Sequence, residues 1–203
     1  MKLYTAATSP YSRKVRIVLI EKKIECEYVD ANPWDAQSAV PQFNPLGKIP
    51  VLILDDGTML YDSRVIVGYL DTVTPVSRLI PEPSRQRIAV RRWEALADGV
   101  CDAVLSVVRE TKRPAHQQSS EWIAYQGLKM QRGVAEMSSD LGDRAWCSGD
   151  AYTLADIATG CALGYLDLRQ PAIAWRTEFP NLLKLAEKLA KRSSFAETAP
   201  PTS

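Results

Sequence analysis

The run from Asn44 to Leu52 carries the strongest chemical signal in this sequence. Pro50 stands at the first residue of a predicted apolar strand, Val51 to Leu54, where a missing N–H is tolerated. The bond before a proline can be cis at small cost. A cis bond here would turn the N–H and C=O of Ile49 outward, where an extended peptide can pair with them as a new strand would.

Asp62-Ser63 follows ten residues after that run and opens an apolar-periodic helix. Before it, Asp56-Gly57 is a hairpin signal that predicts a short strand through Leu60. The first amides of a helix lack partners, so helix N-termini attract carboxylates. An exposed backbone edge beside such a terminus predicts a site for a small peptide with a free carboxylate.

Ser9-Pro10 opens another predicted helix, directly after a strand at Lys2 to Tyr4. Ser9 can cap this helix, and Pro10 suits its first turn. A strand from Cys26 to Val29 follows. The predicted order over about 73 residues is strand, helix, strand, loop with a helix, strand, strand, helix. One helical stripe of the first helix holds Val15, Val18, Leu19 and Lys22.

With these motifs in place, the chain resembles the glutathione S-transferases, and most nearly their small bacterial, serine-type members related to the theta and zeta classes. The resemblance extends over essentially the whole chain. It implies an α/β thioredoxin-like N-terminal domain, with a mixed four-stranded sheet and three helices, followed by an all-α domain. The residues that carry it are Ser9-Pro10, Val15-Arg16, the run from Asn44 to Leu52, Asp62-Ser63 and Thr153-Leu154-Ala155-Asp156.

The domain boundaries follow from composition. Residues 75–84 hold three prolines and form the best linker candidate, which divides a domain at 1–74 from a helical domain at 85–203. Four helices are predicted in the second domain, and the tail at 199–203 is expected to fray or to lie on the surface. The first two helices are predicted from apolar stripes: Ile88, Trp93, Leu96, Val100, Val104 and Val108 in the first, and Trp122, Tyr125, Leu128, Met130, Val134, Met137 and Leu141 in the second. The third is predicted to start at the capping-box pattern Thr153-x-x-Asp156. The fourth is predicted to start at Pro180, to carry Leu182, Leu185 and Leu189, and to end near Arg192.

Composition excludes several function classes. The 203 residues carry a net charge of +1 and are 46% hydrophobic, which argues against a nucleic-acid or membrane role. The start resembles no signal peptide, so a cytoplasmic protein is expected. The single histidine, His116, argues against a zinc site and against a Ser-His-Asp triad, so no metal is expected. Reduced, mostly buried thiols are expected for the four cysteines, which show no C-x-x-C motif: Cys26, Cys101, Cys147 and Cys161.

A transferase of this family must favour the thiolate of glutathione, because a thiol with a pKa of about 8.5 is mostly protonated at neutral pH. A hydroxyl can donate a hydrogen bond to the sulfur, aided by the amides of a helix N-terminus. Aligning Val15-Arg16 with the family's matching pair puts Ser9 on the serine that acts in theta and zeta relatives. Ser12, one turn further along, is the second candidate. Capping is the other role for Ser9, and one residue can do both.

The resemblance also implies the residues that bind glutathione. Ile49 would pair through its backbone with the cysteinyl part, next to a cis Pro50. Ser63 and its amide would hold the γ-glutamyl carboxylate, and Asp62 would face the amino group. Lys48 is a candidate for the glycine carboxylate, with a solvated lysine as the alternative.

Other site residues stay open. In some relatives an acidic residue from the first long helix of the second subunit contacts the γ-glutamyl amine, and Asp98 and Asp102 lie in the matching region. The pocket for the electrophile is expected between the domains, and the sequence does not choose among its candidates, Tyr11, Arg109 and Trp175.

The leading functional hypothesis is a cytosolic, homodimeric glutathione S-transferase that conjugates the thiolate of glutathione, its co-substrate, to a small hydrophobic electrophile in detoxification. One alternative is a zeta-like isomerase or dehalogenase, although the zeta pattern has Ser-Ser-Cys where this chain has Ser9-Pro10-Tyr11. Another is a non-catalytic interaction module, as in some translation factors. Such modules tend to lose the hydroxyl or the Asp-Ser pair, and both persist here.

Overall fold

The structure is a computed structural model that describes residues 1–76 and 78–201. These residues form two compact units: Met1–Ile80 with residues 191–201, and Pro81–Ala190. The sequence-based division at 1–74, 75–84 and 85–203 stays a prediction. Part of the predicted linker, Ser77, and the end of the predicted tail, Thr202 and Ser203, lie outside the described residues.

A four-stranded mixed sheet forms the centre of the first unit. Its strands are β1 (Lys2–Thr5), β2 (Glu27–Asp30), β3 (Val51–Ile53) and β4 (Met59–Leu60). They lie in the order β2-β1-β3-β4, with β1 and β2 parallel and the other two pairs antiparallel. The mixed four-stranded sheet is therefore confirmed.

Eight α-helices lie within the described ranges. In chain order they are α1 (Pro10–Glu21), α2 (Ser63–Val73), α3 (Ser84–Thr111), α4 (Ser120–Leu141), α5 (Leu154–Arg169), α6 (Trp175–Glu178), α7 (Pro180–Ala190) and α8 (Ser193–Glu197). Single 3-10 turns lie at Val40–Gln42 and Ala115–Gln117, and the first of these is the helix predicted in the loop before Asn44. The short helices α6 and α8 were not predicted.

The fifth helix begins as the sequence predicts. Thr153 is its N-cap and accepts a hydrogen bond from the Ala155 N–H at 3.2 Å, while Asp156 accepts from the Thr153 N–H at 2.8 Å, so the capping box is complete. Asp156 is fully buried and also accepts from the Cys147 N–H at 2.8 Å. Burial raises the pKa of this carboxyl, and the hydrogen bonds from Cys147 and Thr153 oppose that shift.

The apolar stripe predicted for α4 is wrong in its first half. Trp122, Tyr125 and Leu128 are 46%, 52% and 47% exposed, whereas the stripe from Met130 onward is buried. At about 100° per residue, Tyr125 and Leu128 lie about 140° and about 160° around the helix from Met130. Trp122 lies about 80° from Met130, at the edge of the buried face in the first turn of α4. A similar correction applies in α3, where Ile88 is 68% exposed.

The C-terminal segment packs within the first unit. Arg192 donates to both carboxylate oxygens of Glu21, at 2.8 and 2.7 Å, and the Ser194 hydroxyl donates to the same carboxylate at 2.6 Å. The start of α8 and the residue before it are thus bonded to the last turn of α1. The cysteines, all within the described ranges, form no disulfide, and all but Cys26 are buried.

Candidate functional site

Strand register brings the predicted binding segments to one end of the sheet. Tyr4 pairs with Val51, so the end of β1, which leads to Ser9, lies beside the start of β3. Leu52 pairs with Leu60, so the end of β4, which leads to Asp62, lies at that same end. Three segments far apart in sequence therefore meet at this end because β3 runs antiparallel to both its neighbours.

Ser9 is the N-cap of α1 and is half-buried. Its hydroxyl oxygen accepts a hydrogen bond from the Ser12 N–H at 3.2 Å, and its carbonyl accepts from the Arg13 N–H at 2.9 Å. No acceptor for the Ser9 hydroxyl proton is found among the described residues. The first turn of α1 contains no acidic residue, so the positive end of the helix dipole is not offset there.

Ser12 and Thr5 differ from Ser9 in exposure. Ser12 is fully buried, and Thr5 is 6% exposed. Within the described residues, neither hydroxyl has a hydrogen-bond partner. Of the two serines proposed from sequence, only Ser9 therefore has partly accessible surface.

The Ile49–Pro50 bond is cis, as the resemblance implies. Neither backbone group of Ile49 makes a hydrogen bond within the described part of the chain. Both groups remain available to a peptide lying along this edge. Pro50 itself is buried, immediately before β3, and the Lys48 side chain is exposed.

Asn44 builds the loop that presents Ile49, a role the sequence analysis missed. Its side-chain amide donates to the Lys48 carbonyl at 2.9 Å, and its side-chain oxygen accepts from the Leu46 N–H at 3.0 Å. The Gly47 N–H donates to the Asn44 carbonyl at 2.8 Å, with Gly47 at a φ of +61°. The signal was present, because Asn-Pro-x-Gly is typical of an Asx-type turn.

Asp62 is the N-cap of α2, and its side chain accepts from the Arg64 N–H at 3.0 Å. The Asp62 side chain is exposed, whereas Ser63, the first residue of the helix, is 2% exposed. The Tyr61–Asp62 peptide bond is also cis. As in α1, the first turn of α2 holds no acidic residue. Asp62 takes up the Arg64 amide, and the other unpaired amides of this first turn can bind a second carboxylate.

A buried ion pair joins α1 and α2 at the ends remote from the site. The Lys22 ammonium donates to the Asp71 carboxylate at 3.3 Å and to the carbonyls of Asp71 and Thr74, at 3.0 and 2.8 Å. Asp71 in turn accepts from the Leu79 and Ile80 N–H groups. The strand register places both N-termini at one end of the sheet, and this ion pair joins the two helices at their other ends.

The residues proposed from sequence for the electrophile pocket and for contact with the γ-glutamyl amine differ in how far they are buried. Tyr11 is half-buried. Trp175 is buried and donates to Asp167 at 2.9 Å. In α3, Asp98 is buried, whereas Asp102 and Arg109 are exposed.

The described residues also bear on metal binding and on membrane insertion. The residues that the structure describes contain no group of three or more histidine, cysteine, aspartate or glutamate side chains that could hold a metal ion. None of the helices in the described ranges has the length and apolar character needed to cross a membrane.

Comparison with known proteins gives a consistent result. Residues 3–77 match the family model of the glutathione S-transferase N-terminal domain, and residues 120–187 match that of the C-terminal domain. The uncharacterized GST-like protein YibF of Escherichia coli K12 is 42% identical over 201 residues, which cover 99% of each chain. The maleylacetoacetate isomerase of Pseudomonas aeruginosa is 29% identical over 213 residues, with 98% of this chain and 96% of the relative covered.

A solved structure extends these matches. The crystal structure of a glutathione S-transferase from Methylobacillus flagellatus KT, with GSH bound, superimposes with a TM-score of 0.96 at 52% identity, covering 98% of this chain and 99% of that one. The expected thioredoxin-like domain followed by a helical domain is thereby confirmed. The chain belongs to the glutathione S-transferase family of enzymes.

Proposed function

We propose that this protein conjugates the thiolate of glutathione to a small hydrophobic electrophile and that the hydroxyl of Ser9 stabilises the thiolate. The observation that carries the proposal is the convergence of Ser9, Ile49 and the Asp62-Ser63 pair at one end of the sheet, which the strand register requires. Glutathione is an extended tripeptide with a carboxylate at each end, so it offers a thiol to Ser9, a backbone to Ile49 and a carboxylate to the N-terminus of α2.

The chemistry at Ser9 follows from its hydrogen bonds. The oxygen already accepts from the Ser12 N–H, so the hydroxyl proton is directed away from the helix and can be donated to sulfur. Such a bond favours the charged sulfur and lowers the pKa of the bound thiol. The thiol proton leaves to solvent, and the sulfur lone pair forms a C–S bond with the electrophilic carbon. The displaced electron pair departs with a leaving group or takes up a proton.

The other arms of glutathione fit the remaining segments. The backbone N–H and C=O of Ile49 would pair with the cysteinyl residue as a strand partner does. Ser63 and the first amides of α2 would bind the γ-glutamyl carboxylate, while the exposed Asp62 carboxylate would face its amino group. Lys48 would approach the glycine carboxylate through its exposed side chain.

Replacing Ser9 tests this assignment, with Ser12→Ala as the matched control. We expect Ser9→Ala to lower kcat about 100-fold, the loss typical of one preorganised donor, while the Kd for glutathione measured by calorimetry changes by less than about threefold. Ser12→Ala should leave kcat within about threefold of the wild type, because its buried hydroxyl makes no bond to the described chain. An equal loss of turnover and affinity in Ser9→Ala, or a larger loss in Ser12→Ala, would contradict the proposal.

A second candidate function is glutathione-dependent isomerisation. It is favoured by the maleylacetoacetate isomerase that aligns over nearly the whole chain. Against it, Tyr11 stands where the zeta pattern has cysteine. Turnover of a maleyl-type diketo acid, measured beside conjugation of a chromogenic aryl halide, separates the two. Faster turnover of the diketo acid would make isomerisation the leading function.

We also propose a cytoplasmic homodimer. Three apolar side chains of the first unit, on β4 and α2, are exposed: Met59, Val65 and Val73. Buried in an interface, such side chains would be removed from water. Light scattering should give twice the chain's mass of 22.6 kDa, and Val65→Glu should yield monomers. A wild-type protein that remains monomeric at micromolar concentration would exclude the dimer.

A further inference from the structure

Arg13, in the first full turn of α1, is a buried cation held by neutral groups. Its side chain is 9% exposed. The guanidinium donates to the Phe195 carbonyl at 3.3 Å and to the Thr198 hydroxyl at 3.5 Å, and it lies 5.4 Å from the centroid of the Phe195 ring. No carboxylate pairs with it among residues 1–76 and 78–201.

This arrangement is unusual for a charged side chain. Removing a charge from water is costly, and buried charges are normally paired with an opposite charge. Arginine also stays protonated in proteins, so the cost is not relieved by loss of the proton. The carbonyl and the aromatic face hold the guanidinium in place but leave its charge uncompensated.

Arg13 follows Ser9 by one turn of α1, so its charge can act on a thiolate bound at Ser9. The Arg13 N–H donates to the Ser9 carbonyl at 2.9 Å, so the two residues lie one helical turn apart on nearly the same face. A thiolate bound at the Ser9 hydroxyl would therefore lie at the positive end of the helix dipole, about one helical turn from the residue that carries this fixed charge. The electrostatic field of a partly desolvated charge is screened less by its surroundings than the field of a charge in water.

Other charged groups lie on α1 and on the elements packed against it. Lys14 on α1 is buried and has further contacts, and Arg16 is half-buried. On α2, Arg64 and Asp71 carry charge, but Asp71 pairs with Lys22 at the remote end. On the C-terminal segment, Arg192 pairs with Glu21, again at the remote end, and Glu197 is exposed. Arg13 is thus a buried cation in the first turn of α1 whose partners in the described chain are all neutral.

We propose that Arg13 is a positioning residue whose uncompensated charge, fixed by the C-terminal segment at Phe195 and Thr198, favours the thiolate of glutathione at Ser9. Arg13 does not contact glutathione and acts through its field. The proposal rests on the proposed function, because it needs glutathione sulfur at Ser9. It also gives Phe195 and Thr198 a part in positioning this charge, since these two residues hold the guanidinium.

The test measures the pKa of the thiol of enzyme-bound glutathione from thiolate ultraviolet absorbance, together with melting temperature. Arg13→Met keeps a long apolar side chain but removes the charge, and we expect it to raise the thiol pKa by about one unit, as a unit charge within about 10 Å does at an effective dielectric of about 20. At neutral pH, kcat should then fall by up to about tenfold, because less thiolate is present. Arg13→Lys keeps the charge and should leave the thiol pKa within about 0.3 unit of the wild type.

Glu21→Gln is the matched control, because it weakens the bond between the same C-terminal segment and the other end of the same helix. It should lower the melting temperature and leave the thiol pKa unchanged. An unchanged pKa in Arg13→Met, or an equal rise in Glu21→Gln, would overturn the proposal and make Arg13 a structural residue. If Arg13→Met does not fold, a rise of a full unit in Arg13→Lys would overturn it. A wild type that fails to bind glutathione would instead refute the proposed function.

Discussion

Two helix N-termini, one in each compact unit, are capped by the same kind of side chain but leave different groups unused. At α5, Thr153 and Asp156 satisfy each other, and the second oxygen of Asp156 accepts from the Cys147 N–H. Both residues are buried. At α1, Ser9 accepts one hydrogen bond, remains half-buried, and has Ser12 where a capping box has an acid.

The difference indicates how a cap becomes a binding site. In a capping box such as that of α5, the side chains of the cap and of the acid bond to each other's backbone N–H groups, so they stabilise the fold and have no free groups for a ligand. A cap without the acid leaves a hydroxyl proton and helix amides for a ligand, and it keeps the positive end of the helix without a carboxylate. At α2 the cap is itself a carboxylate, because the exposed Asp62 accepts from the Arg64 N–H, and no second acid in the first turn returns a bond as Asp156 does at α5.

The largest effect on stability is expected from disrupting the capping box of α5. Asp156→Ala should lower the free energy of unfolding by about 3 kcal/mol, because it leaves buried N–H donors at Cys147 and Thr153 without partners. Urea unfolding measures the loss. Activity per folded molecule should not change, and Asp156→Asn, which keeps one acceptor, should lose less. A loss below about 1 kcal/mol would mean that the network is not what stabilises α5.

Glycine substitutions separate capping from catalysis at the two sites. Glycine is a tolerable N-cap, so Ser9→Gly should change stability by only a few tenths of a kcal/mol yet reduce kcat about 100-fold. Thr153→Gly should leave kcat unchanged and lower stability, since its capping box is buried. Steady-state kinetics and thermal unfolding of both variants check the contrast. If Ser9→Gly kept wild-type turnover, the α1 cap would be purely structural.

A smaller effect is expected at Asn44, which is buried but makes its bonds beside the binding edge. Asn44→Ala should lower stability by about 1–2 kcal/mol and weaken glutathione binding several-fold, with kcat at saturating glutathione nearly unchanged. Asn32→Ala is the matched control, since Asn32 accepts from the Trp34 N–H at 3.0 Å in an exposed loop. Calorimetry should show weaker binding only for Asn44→Ala.

The smallest effect concerns pH. Because burial raises the pKa of Asp156 above its value of 3.8 in the unfolded chain, the folded state binds its proton more readily. The stability of the wild type relative to Asp156→Asn should be greatest below pH 3.8 and fall as the pH rises through the raised pKa. Unfolding of both proteins from about pH 3 to about pH 8 measures this difference. A difference that grows with pH would show that the hydrogen bonds outweigh burial.

Much of the fold was predictable because its signals are local. The start of α1 at Ser9 and the cap of α5 at Thr153 depend on residues within one turn of the chain, whereas the cis bond at Pro50 was implied by the family resemblance. The first half of the α4 stripe could not be predicted in this way. Trp122 is apolar and lies at helical spacing, but only the packing of neighbouring helices decides which face of α4 is buried. The short helices α6 and α8 lack the length that makes periodicity visible.

By itself, the sequence determined the family, the order of strands and helices from β1 to α2 and the three segments of the candidate site, since caps and turns act over a few residues. Only the tertiary structure decided which cap stays open and where charges are buried. Arg13 finds its carbonyl partner 182 residues away, and Lys22 pairs with a carboxylate 49 residues on. Such partners are brought together by the burial of apolar surface, and no local pattern around either residue specifies them.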